Sequence, residues 1–199
     1  SAGGTGLGRT YAGAYQNIVD AGMAANRNQN MYSRMMQLND MIETGRLAPA
    51  TTLVAELAQS LGVDVEGLDA TQAFRALSNR VALELRNPAG GAGMPGAMSE
   101  GDRNFLIQSV PGLSLTNEGN KLIAEYALKM AERDSAVFRQ ARAYVSEHGQ
   151  LDEVFFDQLE EWSNANPMFT EEDMRASEEA LGVQAPGAGS DGWKIVPPE

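Results

Sequence analysis

The chain predicts an all-α fold of about seven helices, two of them long, arranged as a partly extended bundle. Three observations lead there. Apolar residues recur at three- and four-residue steps through most of the sequence. Asp69 with Gln72, Ser99 with Asp102, and Thr170 with Asp173 have the spacing of helix-capping pairs. The one alternating stretch, Val63–Leu68, is short and bounded by glycine, so it reads as a connector rather than a strand.

Residues 1–9 are glycine-rich and read as a flexible lead-in. Gly4, Gly6 and Gly8 faintly suggest a phosphate-cradling loop, but no strand precedes them and their spacing does not fit a dinucleotide fingerprint. Residues 10–44 form the first long helix, with Tyr11, Tyr15, Ile18, Val19, Met31, Met35, Leu38 and Ile42 as its apolar stripe and Gly45 as its stop. The polar run Asn26–Asn30 predicts a break or a solvent-bridging turn within it. Met31, Met35, Met36 and Met41 suit either a promiscuous groove or core packing, and packing is the expectation.

A second helix spans 49–62, with Pro49 in its first turn and Gly62 closing it. The third, 70–86, buries Phe74, Leu77, Val81 and Leu85. The segment 87–98, NPAGGAGMPGAM, holds too much glycine and proline for regular structure. Met94 and Met98 inside it argue for a packed connector with at least one of them buried. A helix of about ten residues follows over 99–109, ended by Val110-Pro111-Gly112. Thr116 caps the long fifth helix, 117–148, whose stripe is Leu122, Tyr126, Met130, Val137, Ala141 and Tyr144. Gly149 stops it. A sixth helix covers 151–165, a seventh follows Thr170 and ends at Gly182. Residues 183–199 form an irregular tail in which Trp193 and Ile195 resemble an anchor. The organisation is therefore a lead-in (1–9), an N-terminal helical part (10–86), a connector (87–98), a C-terminal helical part (99–182) and a tail (183–199).

The formal charge of −12 is concentrated at one end: residues 1–150 carry 13 Lys/Arg against 15 Asp/Glu, residues 151–199 carry 2 against 12. No basic face for duplex DNA emerges; the acidic quarter suits a solvated end or a docking strip for a basic partner. The absence of cysteine excludes disulfides and thiolate chemistry. No apolar run approaches the roughly 18–20 residues of a membrane span. There is no signal-peptide pattern, and the opening SAGGTGLG fits a processed product or part of a longer chain.

Candidate chemistry is sparse. The single histidine, His148, sits at a helix end, where interaction with the helix dipole explains it better than catalysis. Glu160/Glu161 and Glu171/Glu172/Asp173 are carboxylate pairs, but neighbours on a helix point about 100° apart and rarely converge on one atom. Arg133, Arg139 and Arg142 form a short basic patch diluted by Glu132 and Asp134. No catalytic, cofactor-binding or metal-binding residue is assigned, and no enzyme activity or cofactor is expected.

Several segments together resemble a family of tailed-bacteriophage virion proteins. They are ETGRLAP and LAQSLGVDVEGL; Leu83-Glu84-Leu85-Arg86-Asn87-Pro88 followed by GGAGMPGAMSEGDRNFL; Val110-Pro111-Gly112-Leu113; Asn117-Glu118-Gly119-Asn120; Tyr144 with His148-Gly149-Gln150-Leu151-Asp152; and Trp162-Ser163-Asn164-Ala165-Asn166-Pro167. The similarity covers roughly 40–182. In that family these segments often form the C-terminal part of a larger internal, DNA-injection or tail-associated protein. The resemblance implies a structural or ejection protein of the particle, at the portal or tail. The expected partners are further copies of the chain and other virion proteins (portal, tail or internal), with transient contact to genomic DNA. The expected location is the virion, with host cytoplasm during assembly. Two alternatives stay open: a helical accessory domain of a larger peptidoglycan-cleaving injection enzyme, and a scaffold or tail-structural protein without an ejection role. The family supplies no catalytic motif.

Overall fold

The computed structural model describes residues 3–88 and 91–182, with side chains from residue 10 onward. Among them are seven α-helices and no strand: α1 (Gly3–Glu43), α2 (Leu47–Leu61), α3 (Ala70–Arg86), α4 (Glu100–Leu113), α5 (Asn117–His148), α6 (Glu153–Ala165) and α7 (Glu171–Ala180), with a short 3-10 turn at Gly91–Gly93. The all-α expectation is met.

The molecule is built on an antiparallel pair, α1 against α5. Gly22 lies against Phe138, Gln29 donates to the Ala131 carbonyl, and Asp40 faces Lys121 at 4.0 Å. Each pair of residue numbers sums to about 160, so residues 12–43 of α1 run alongside the whole of α5. With 32 residues in α5, the shared rod is about 48 Å long at 1.5 Å per residue. At Gly22 the two helices come so close that any Cβ would overlap Cβ and Cγ of Phe138. Ala25 beside it is fully buried.

This pairing corrects two expectations for the first helix. It begins at Gly3 rather than after residue 9, so the glycine-rich lead-in is helical there. It also runs through Asn26–Asn30 without a break. Asn26 and Asn30 are exposed while Ala25, Tyr32 and Met35 face inward, so the asparagines occupy the wet face of a helix that α5 supports. Intrinsic helix propensity is a weak term beside such packing.

Two apolar cores lie along the rod. The larger gathers Met35 and Leu38 of α1, Leu53 and Leu57 of α2, Leu77 and Val81 of α3, Leu106 and Val110 of α4, and Ile123 and Tyr126 of α5. The smaller joins Ile18 of α1, Val137, Ala141 and Tyr144 of α5, and Phe155 and Leu159 of α6. The connector straddles both: Ala92 and Met98 belong to the larger core, Ala97 to the smaller with Met94 against it. Met98 is 5% exposed, as expected of a packed connector.

Most boundaries follow from local chemistry. Asp69 and Gln72 form the full reciprocal box at α3, Thr170 and Asp173 the same at α7, and the Thr116 hydroxyl accepts from the Gly119 N–H at 2.9 Å. Gly62 and Gly149 end α2 and α5 in the left-handed region. The second helix starts at Leu47, two residues before its expected start, with Arg46 giving no side-chain cap. The sixth starts at Glu153 because the Asp152 carboxylate, accepting from the Phe155 N–H at 3.2 Å, is its cap.

Val110-Pro111-Gly112 does not end the fourth helix, which continues to Leu113 with Pro111 in its last turn. Pro111 deprives only the Ile107 carbonyl of its usual partner. Both residues are exposed, so water can satisfy it, while burial of Val110 and Leu113 holds the turn in place.

Candidate functional site

The densest polar construction lies where the connector meets α5. The Asp134 carboxylate accepts from the Ala92 N–H, and Gly91 approaches so closely that a Cβ there would overlap Asp134 Oδ1. One residue earlier, the buried Arg133 guanidinium donates to the carbonyls of Ala97 and Asn166 and stands 4.4 Å from the centre of the Trp162 ring. This one arginine ties the connector to the end of α6, with a cation–π contact beneath it.

Asp102 completes the arrangement. The sequence pairs it with Ser99 as a helix cap. Ser99 does accept from the Asp102 N–H at 3.1 Å, but the Asp102 carboxylate turns inward, 2% exposed, and accepts from the N–H groups of Met168 (3.0 Å) and Phe169 (3.1 Å). A buried carboxylate held by two backbone donors is a strong charge-assisted link. It pins the α6–α7 connection to the start of α4 and presents Phe169 to Phe105 and Tyr126, with ring centres 4.9 and 5.0 Å away. The Tyr126 hydroxyl donates to the Asp173 carbonyl at 2.9 Å and lies within hydrogen-bond distance of Ser177 Oγ. Burial pushes this phenol up to about 12.

Next to this lock is a polar cavity of about 280 Å³ between α1, the end of α3 and α5, lined by Asn28, Tyr32, Glu84, Asn87, Met130 and Asp134. The Tyr32 hydroxyl donates to Glu84 at 3.2 Å, and Glu84 is also paired with Arg80 at 3.0 Å. Burial, then the Glu84 charge, raises the Tyr32 phenol far above its ordinary value. Burial likewise pushes the Asp134 carboxyl up to about 6, against the opposing pull of the Ala92 N–H. A carboxyl titrating near neutrality at a cavity wall has the character of a functional group. Among the described residues no nucleophile or base is positioned beside it, and its hydrogen-bond partner is the Ala92 N–H of the connector. A larger, open cleft of about 730 Å³ runs between α1 and the end of α2, with Asn26, Arg27, Asn30, Arg34 and Ser60 on its walls.

The candidates named from the sequence are dispersed. His148 stacks on Tyr144 at 4.1 Å and bonds to the Tyr144 carbonyl, a helix-end role. Asp173 caps α7 and pairs with Lys129 at 2.6 Å. Glu160, Glu161, Glu171 and Glu172 are exposed. Among the described residues no three His or carboxylate side chains converge as they would around a metal. The basic patch dissolves: Arg139 is exposed and bonds to Ser135, whereas Arg133 is buried. Met35 is core, and Met31, Met36 and Met41 pack against it. Gly4, Gly6 and Gly8 lie within α1 rather than in a phosphate-cradling loop, and the anchor at Trp193 and Ile195 lies outside the described residues. Among the described residues no helix is long and apolar enough to cross a membrane.

Sequence reasoning passed over Arg133 and Asp102 as interior groups. For Arg133 a signal was present: it stands four residues before Val137, on the stripe of Ala141 and Tyr144. For Asp102 none was, because its partners lie 66 and 67 residues away.

No protein-family model, curated protein or solved structure matches the chain.

Proposed function

We propose that the chain is a structural subunit of a tailed-phage particle, assembling at the portal or tail and helping the genome leave. The resemblance over 40–182 motivates the reading. The observation that carries it is the α1–α5 rod, about 48 Å long, with large apolar side chains left uncovered on it and beside it: Met23 of α1 is 70% exposed and Leu115, in the turn before α5, 69%. In this reading further copies, and portal, tail or internal proteins, cover such residues. The interior polar groups hold the connector and helix ends in place, so the protein acts by assembly rather than by bond-making. With a net charge of −12, contact with DNA is transient and confined to passage.

The test is quantitative mass spectrometry of purified particles before and after DNA release. The protein should be present in mature particles and lost from emptied ones. Retention in emptied particles would convert the reading to a tail-structural protein without an ejection role, and absence from mature particles would overturn it. Cell-wall clearing by the intact gene product would point instead to the accessory domain of an injection enzyme.

A further inference from the structure

Two exposed surfaces of this chain are complementary to each other. The first is α6. Glu153, Asp157, Glu160 and Glu161 stand at steps of four, seven and eight residues, so they form one acidic ridge along a helix that contains no basic residue. None of the four makes an ion pair among the described residues, and Val154 projects beside them, exposed. The second is the groove between α3 and α4, about 330 Å³, where Leu83, Pro111 and Leu115 are flanked by Arg75 and Arg86. Arg80 in the same groove is already paired with Glu84, whereas Arg75 and Arg86 make no ion pair among the described residues. Leu83 is 60% exposed, and with Leu115 it forms the apolar floor that a partner would cover.

Both surfaces are exposed within one chain, so neither covers the other. They also stand on different halves of α5. In α3, Ser78 reaches the Asn120 carbonyl at 3.4 Å; in α6, Phe155 packs on Tyr144 and Trp162 on Arg133. We infer that the α3–α4 groove of one copy receives the acidic α6 ridge of a second copy. Arg75 and Arg86 meet the carboxylates, and Val154 meets Leu83 and Leu115. Because two different patches are joined, the contact is head-to-tail and repeats, giving a ring where the rotation closes and a filament where it does not. The contact rests on charge and exposure, not on the phage reading: a chain absent from particles could still associate this way, and a virion protein could fail to.

Complementary charge reversal of the full chain tests it, read by sedimentation at low and high salt. Arg75→Glu with Arg86→Glu breaks the groove; Asp157→Arg with Glu161→Arg breaks the ridge. All four positions are exposed, and melting curves check that each variant folds. The wild type should associate at low ionic strength and dissociate at 1 M salt, where the screening length falls to about 3 Å. Each variant alone should associate at least about tenfold more weakly. An equimolar mixture should associate more strongly than either variant alone, since the intact ridge meets the intact groove and the reversed ridge meets the reversed groove. A wild type that stays monomeric at low salt, variants that associate as well as it does, or a mixture that stays monomeric while the wild type associates would each overturn the contact. The last result would assign the groove to a different acidic partner.

Discussion

Replacing Asp102 by alanine removes the carboxylate that accepts from Met168 and Phe169, and the expected cost follows from what is left behind. The N–H groups of two buried residues lose their partner, and Arg133, buried nearby, loses the negative charge that favours its own charged form. A hydrogen bond to a charged group contributes about 1.5–3 kcal/mol, and removing one member of a buried charged constellation costs about 3–5 kcal/mol. Asp102→Ala is therefore expected to destabilise the fold by about 4 kcal/mol, close to the upper end for a single substitution. In urea, with a slope of about 2 kcal/mol per molar, the midpoint should fall by roughly 2 M. Asp102→Asn keeps one acceptor oxygen and should fall between the two. Glu100→Ala, in the same helical turn but exposed, should lie within about 0.5 kcal/mol of wild type. Hydrogen exchange adds a local readout: the amides of residues 168 and 169 should be protected in the wild type and lose protection first in Asp102→Ala. A midpoint within about 0.3 M of wild type, with those amides still protected, would refute the clamp.

The remaining predictions concern the connector and the rod. Asp134 holds its proton more tightly when folded, near 6, than an unfolded aspartate does, near 3.9. Its contribution is therefore most favourable below about pH 4 and is lost as pH rises through about 6. Asp134→Asn keeps an acceptor for Ala92 and removes that loss, so its melting temperature relative to wild type should climb between pH 4 and 6 and then level off; a flat or falling difference contradicts the assignment. Gly22→Ala should gain up to about 1 kcal/mol of helix propensity yet lose about 1–3 kcal/mol to overlap with Phe138, for a net loss by chemical denaturation. A variant as stable as wild type would mean that α1 and α5 do not approach there as described.

What could be read from the sequence was what short-range chemistry decides. The ranges 70–86 and 117–148 emerge with the observed limits because Asp69 with Gln72, and Thr116 with Gly149, act within a turn of the helix ends they define. The core faces of α3 and α5 emerge for the same reason, since periodicity is local. What escaped was decided by distant chain. Asn26–Asn30 resembles a break until α5 is laid along it. Val110-Pro111-Gly112 resembles a stop until Leu113 is buried. Ser99 and Asp102 resemble a reciprocal cap, but Met168 and Phe169 compete for the Asp102 carboxylate and take it. The polar lock around Arg133 draws on the connector, α5 and α6 at once, so no single window of sequence contains it.

The connector shows why this matters for assembly. Glycine and proline at such density in 87–98 are what a solvated boundary between domains would carry. A boundary loop leaves its backbone to water, whereas this one has its Ala92 N–H and Ala97 carbonyl taken by consecutive residues of α5, Asp134 and Arg133. Its glycines let the chain pass tightly between Asp134 on one side and the backbone of α6 on the other: at Gly91 a Cβ would overlap Asp134 Oδ1, and at Gly96 one would press on the Phe156 carbonyl and the Glu160 N–H. The two cores are thereby joined through α1, α5 and a filled seam, with the groove beside one core and the ridge beside the other. A regular head-to-tail repeat needs the angle between them to be constant, because the rotation between successive copies is set within each copy. A hinge at 87–98 would let the angle vary and yield irregular aggregates, whereas a welded seam yields one repeat.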